Sequence, residues 1–172
     1  NTLAGLAGVA SVLETPCGDL VTQPARCFLV TFDQAIEHAR DGSTTFPQRL
    51  FLTHRGCDRA TIVADWGYTN DAFFDDELAA LYQANALWIE HRYQGDSVPD
   101  AAQWEWPALT IENGAGDMHA IITEFRKHYG GNFITTGASK GGITATYHRY
   151  FFPDDVDGTV AYVAPASRAR ID

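Results

Sequence analysis

Gly137-Ala138-Ser139-Lys140-Gly141-Gly142 fits the pattern G-x-S-x-G, and a serine so placed is a candidate nucleophile for acyl transfer. The preceding run, Asn132-Phe133-Ile134-Thr135-Thr136, is short, β-branched and aromatic and follows Gly130-Gly131, so it reads as a buried parallel strand. After the motif, Ile143, Tyr147 and Phe151 recur at helical spacing until Pro153 closes the segment. A serine on so sharp a strand-to-helix turn points its hydroxyl out of the sheet. Gly137 and Gly141 leave room for the helix to approach the strand, and the helix start offers free N–H groups to an oxyanion, the backbone N–H of Lys140 among them. A merely structural glycine-rich turn is the competing explanation, and the strand–turn–helix setting is what favours the nucleophile.

A serine hydroxyl needs a base, usually a histidine oriented by a carboxylate, and in α/β hydrolases the chain order is Ser, Asp or Glu, then His. Only His148 follows Ser139. It lies nine residues down the outgoing helix, roughly 13 Å away at about 1.5 Å per residue, so it reads as a partly exposed helix residue and not as the base. His38, His54, His91, His119 and His128 precede the nucleophile without metal-ligand spacing, and His119 and His128, nine apart on a helix and too far for a shared ion, are expected in surface or core roles. Asp154, Asp155 and Asp157 are expected to be solvated loop carboxylates. Asp172 is not assigned to the acid.

The elements that must hold the serine alternate along the chain. Arg26 to Phe32 and Arg49 to His54 read as antiparallel opening strands. Ala60 to Trp66 is a further strand ending at Gly67-Tyr68-Thr69-Asn70, and Ala86 to Ile89 another, with a helix between them whose first turn carries Asp75, Asp76 and Glu77. A longer helix presents Met118, Ile121, Ile122, Phe125 and Tyr129 on one face, with Asp117 near its start. Gly158 to Val163 is the last strand. Alternating strands and helices specify an α/β fold with a mostly parallel sheet, whose ligands gather at the carboxyl ends of the strands.

The 172 residues suffice for one cored domain. Twelve basic residues against 22 acidic ones give a net charge of −10 without a basic cluster, which argues against nucleic acid and anionic membrane surfaces as partners. No apolar stretch is long enough to span a bilayer: Leu3 to Leu13 is broken by Gly5, Gly8 and Ser11. A chain opening at Asn1 is expected to follow a removed segment such as a secretory signal, and hence to be extracellular. Cys17 and Cys27 flank a short polar loop that a disulfide could close, leaving Cys57 over. The cysteine spacing offers no structural zinc site, and no cofactor is expected. Because the sheet ends soon after the elbow, residues 1–172 are expected to be the N-terminal portion of a catalytic domain, with residues 1–25 as an N-terminal extension and the helical cap and last strands absent.

Several blocks together resemble secreted bacterial tripeptidyl aminopeptidases of the PS-10 or S37 serine peptidase family. They include Phe32-Asp33-Gln34-Ala35-Ile36-Glu37-His38, His54-Arg55-Gly56, Gly67-Tyr68, Glu90-His91-Arg92-Tyr93, Trp106-Pro107-Ala108-Leu109-Thr110-Ile111 and Thr136-Gly137-Ala138-Ser139-Lys140-Gly141-Gly142. The likeness runs from about residue 28 to the end. Ala35 and Glu112-Asn113 depart from it, away from the serine. The resemblance implies an α/β-hydrolase core and an exopeptidase that releases tripeptides from free N-termini. It maps Ser139 to the nucleophile, the Lys140 N–H to one oxyanion donor and Tyr68 to the loop giving the second, with Asp and His supplied by a C-terminal part of the polypeptide. The Lys140 side chain is expected to be solvated. An esterase or lipase, or a non-catalytic fragment, are the alternatives.

Overall fold

Two short strands are buried at every position and set the centre of the sheet: β4 (Thr61–Asp65) and β5 (Asn85–Ile89). Such continuous burial requires layers on both faces. Around them the computed structural model, which describes residues 3–165, places β1 (Val9–Thr15), β2 (Arg26–Ala35) and β3 (Thr45–His54) on one side. On the other side are β6 (Phe133–Ala138) and β7 (Gly158–Tyr162). The order is β1-β2-β3-β5-β4-β6-β7. β1 to β3 pair antiparallel, as does β3 with β5, while β4, β5, β6 and β7 run parallel. The parallel half carries the crossover helices α1 (Glu77–Tyr82), α2 (Ile111–Phe125) and α3 (Lys140–Phe151).

Strand alternation divides the core between the two faces. Leu50, Leu52, Val63, Leu87 and Ile89 face one way and pack with Met118, Ile121, Ile122 and Phe125 of α2. Phe51, Ile62, Ala64, Ala86 and Trp88 face the other, over Ala79 of α1. Each large apolar side chain buried from α2 contributes about 1.5–3 kcal/mol.

Three local features differ from the sequence expectations. The helix carrying Met118 starts at Ile111, capped by the Thr110 side chain, which accepts from the Asn113 amide. Asp117 therefore lies in mid-helix, where it is buried and ion-paired. Two glycines in the first turns disguised the start. Gly116 is there for room, because a Cβ would stand 2.6 Å from Cδ2 of His38. In α1 Asp76 is the N-cap, accepting from Ala79, whereas Asp75 precedes the helix and pairs with Arg55.

Third, β1 forms within the stretch read as an N-terminal extension, pairing with β2 across an irregularity between Val9 and Ser11. Cys17 and Cys27 are joined, fastening the loop beyond β1 to the start of β2. Closing so short a loop stabilises by about 2–3 kcal/mol in the chain-entropy description. Replacing both cysteines by alanine should lower the urea midpoint accordingly, and an unchanged midpoint would show that β1–β2 pairing alone constrains the loop. Cys57 is free and exposed, its Sγ 3.4 Å from Nε2 of His128.

Candidate active site

β6 ends at Ala138 and α3 begins at Lys140, so Ser139 alone makes the turn. Its backbone sits at φ 52° and ψ −117°, a region that L-residues avoid at a cost of about 1–3 kcal/mol. Two backbone bonds hold it there: the Ser139 amide donates to the Tyr162 carbonyl at 3.0 Å and the Ser139 carbonyl accepts from Ile143 at 3.0 Å. The residue is exposed and its hydroxyl does not cap the helix.

The turn depends on missing side chains. A Cβ on residue 137 would stand 2.4 Å from the carbonyl carbon of Gly141, and one on residue 141 would stand 2.3 Å from the carbonyl oxygen of Asp65. Both obstacles are backbone. Gly137→Ala should therefore cost about 3 kcal/mol, at the upper end of overpacking effects, and disable the site. A urea midpoint indistinguishable from the unmutated protein would show that α3 can shift to make room.

The loop leaving β4 meets the start of α3. Gly67 has φ +83°, and a Cβ there would lie 3.0 Å from the Gly141 amide nitrogen and 3.1 Å from Cβ of Lys140. Lys140 Nζ donates to the Gly67 carbonyl at 2.6 Å and stands 5.2 Å from the centre of the Tyr68 ring. The expected solvated lysine is thus a half-buried one tied to the loop, and burial pushes its pKa down, with Asp65 partly offsetting this. Ser139, Lys140 and Tyr68 are brought together. Neither the Lys140 amide nor the Tyr68 amide has an acceptor among the described residues. At the N-terminus of a helix and on a turn beside it, such free amides favour a negative charge.

Beside them opens a cavity of about 350 Å³ lined by His91, Leu109, Ile111, Lys140, Ile143 and Tyr147 among others. A cavity of about 400 Å³ lies elsewhere, around His38, Glu112 and His119. It lacks the elbow, so the chemistry favours the first.

The histidines resolve differently from expectation. His148 is wholly buried, with Nε2 3.0 Å from Oδ2 of Asp155, and Asp155 also meets Nδ1 of His119 at 2.7 Å. Burial pushes the His148 pKa down, partly countered by Asp155. Asp155 is therefore a partner of two histidines, and Asp157 accepts from the Phe133 amide and from Arg126; neither is simply solvated. His91 was the residue missed. It is buried, with Nδ1 2.8 Å from Oδ2 of Asp65. The signal was Glu90-His91-Arg92, three polar residues directly after the apolar run Ala86 to Ile89, at the sheet end where α/β ligands bind. Glu90 is fully engaged by Arg49, the Asn70 amide and Ser97, and Asp96 pairs with Arg49 from the surface.

Residues 3–170 match the PS-10 peptidase S37 family. The chain belongs to that family. A prolyl tri/tetrapeptidyl aminopeptidase from Streptomyces mobaraensis is 39% identical over 146 residues, covering 83% of this chain and 30% of the relative. This S37 chain thus spans less than a third of the length of that relative. Among solved structures, a post-proline cleaving enzyme from Rickettsia typhi superposes with a TM-score of 0.55 at 16% identity, covering 80% of this chain and 21% of the other. A peroxisomal alpha-beta-hydrolase from Saccharomyces cerevisiae gives 0.52 at 14% identity, covering 87% and 49%. These likenesses show the fold, an α/β-hydrolase core, and in this S37 chain the elbow serine occupies the turn after β6.

Proposed function

We propose that the protein is a serine exopeptidase that releases tripeptides from free N-termini through an acyl-enzyme on Ser139. The strained, exposed turn at Ser139, next to the acceptor-free Lys140 amide, carries this reading, and the acceptor-free Tyr68 amide lies on the loop tied to the Lys140 side chain. Ser139 Oγ adds to the scissile carbonyl while a base takes its proton; the oxyanion accepts from the Lys140 and Tyr68 amides. The C–N bond then breaks as the amine leaves with that proton, and water hydrolyses the ester. The base and its carboxylate come from polypeptide C-terminal to these residues, which form the N-terminal portion of the catalytic domain. His91, the histidine bordering the elbow cavity, has its Nδ1 engaged by Asp65 and lies just beyond the end of β5, a strand two spacings from β6, about 10 Å across the sheet. The disulfide supports an oxidising, extracellular destination.

A fluorophosphonate should add to Ser139 in the full-length protein, read as a mass shift on its peptide. Tripeptidyl nitroanilides with free N-termini should be cleaved and their N-acetylated forms spared. Equal rates on both forms would exclude an exopeptidase.

A further inference from the structure

The amide of Tyr68 can serve as an oxyanion donor only if its peptide plane is fixed, and Gly67, at φ +83°, is the residue type that resists rotation least. Three adjoining peptide groups are nevertheless pinned. The Gly67 amide donates to Oδ1 of Asp65 at 2.6 Å. The Gly67 carbonyl accepts from Lys140 Nζ at 2.6 Å. The Tyr68 carbonyl accepts from the His91 amide at 3.3 Å. Gly67 C=O and Tyr68 N–H belong to one trans peptide and point in opposite directions, so the grip on the carbonyl aims the N–H the other way. Among the described residues, the Tyr68 amide is the one polar backbone atom of this pair without a partner.

Asp65 holds the first of these contacts, and its side chain is 1% exposed. A buried carboxylate keeps one orientation only when its other lone pairs are also occupied. His91 supplies that, with Nδ1 3.0 Å from Oδ1 and 2.8 Å from Oδ2. The result is a closed ring: His91 backbone to Tyr68, His91 side chain to Asp65, Asp65 to Gly67. Resting on the Ser139 reading, we infer that Asp65 and His91 are positioning residues that hold the Gly67-Tyr68 peptide as an oxyanion donor.

The expected signature is transition-state loss without substrate-binding loss. In the full-length protein, His91→Phe removes the donor to Asp65 and should lower kcat about 100-fold, the effect of misplacing one catalytic contact, with KM within about twofold. It should weaken a peptidyl trifluoromethyl ketone, which Ser139 converts to a tetrahedral oxyanion, by a similar factor while leaving inhibition by a product tripeptide unchanged. His91→Asn keeps a nitrogen where Nδ1 stood and should restore kcat to within about fivefold. His91→Gln, equally polar but one methylene longer, should remain about tenfold low and serves if the Phe variant fails to fold. Unchanged kcat in His91→Phe, a loss confined to KM, or equal kcat in the Asn and Gln variants overturns the inference. Loss of fluorophosphonate labelling in the Asn variant also overturns it, by making His91 the proton acceptor. Activity surviving in Ser139→Ala, or an unmutated protein that takes no label, sinks the Ser139 reading instead.

Discussion

Ser139→Ala in the full-length protein should lower kcat on a tripeptidyl nitroanilide by about 10⁴–10⁶-fold, the range seen when a nucleophile is removed from machinery that otherwise stays intact. Binding of a product tripeptide should change little, because the two amides and the adjoining cavity remain. Stability adds a second, independent readout. Ser139 holds φ 52° and ψ −117°, where a Cβ is penalised and glycine is not. Ser139→Gly should therefore unfold at higher urea than either the unmutated protein or Ser139→Ala, by about 1 kcal/mol, while being equally inactive. A site that loses activity as it gains stability is the pattern expected where strain serves chemistry. If Ser139→Gly proves less stable than Ser139→Ala, the Cβ is not penalised at this φ/ψ and the strain argument fails. Residual kcat within tenfold of the unmutated value would remove Ser139 from the mechanism.

How much of this was legible follows from the range of the interactions. The elbow is local: two glycines, a serine, a β-branched run before and a helical period after are all within about twenty residues, and the φ/ψ found is what that chemistry requires. The central strands were legible for a similar reason, since their buried middles are the apolar runs Ile62-Val63-Ala64 in β4 and Ala86-Leu87-Trp88-Ile89 in β5. β1 was not, because an edge strand with no fully buried position carries little apolar signal, and Gly8 before it and Ser11 within it weakened what remained. Polar partners separated in sequence were also hidden. His91 meets Asp65 across 26 positions, His148 meets Asp155 where a surface helix face was expected, and Lys140 reaches back to Gly67 across 73. Nothing in residue type distinguishes a solvated histidine from a buried one whose carboxylate arrives from another element. Burial decides, and burial is a tertiary quantity.

Arg92→Ala should be the most destabilising change near the site, costing about 3–5 kcal/mol of a total that for domains of this kind is about 5–15 kcal/mol. The guanidinium is fully buried. All five of its N–H donors are used: two on Asp117 at 2.8 and 2.6 Å, and one each on the carbonyls of Ile36, Ala108 and Ala35 at 2.9, 2.9 and 3.0 Å. Truncation would strip the interior Asp117 carboxylate of its cationic partner, leaving it His38 and a long contact to Gln48, and would take one donor from each of three carbonyls. Arg92→Lys should rescue little, since three donors on a point charge cannot reproduce a five-pronged planar fork.

Burial by itself would raise the Asp117 pKa, but Arg92, with His38 adding to it, outweighs burial and leaves it below the ordinary aspartate value. A carboxyl depressed in the folded state contributes stability that is full above its unfolded pKa and disappears as pH falls through the folded one. The pair should thus hold through mildly acidic conditions and fail only below the usual aspartate range. Acid titration followed by circular dichroism should show Arg92→Ala unfolding at distinctly higher pH than the unmutated protein; coincident acid transitions would show that Asp117 finds other partners. The functional consequence comes through sequence adjacency. Arg92 anchors the residue next to His91, so its loss should release the Asp65–His91 ring and depress kcat even in the fraction of molecules that remains folded.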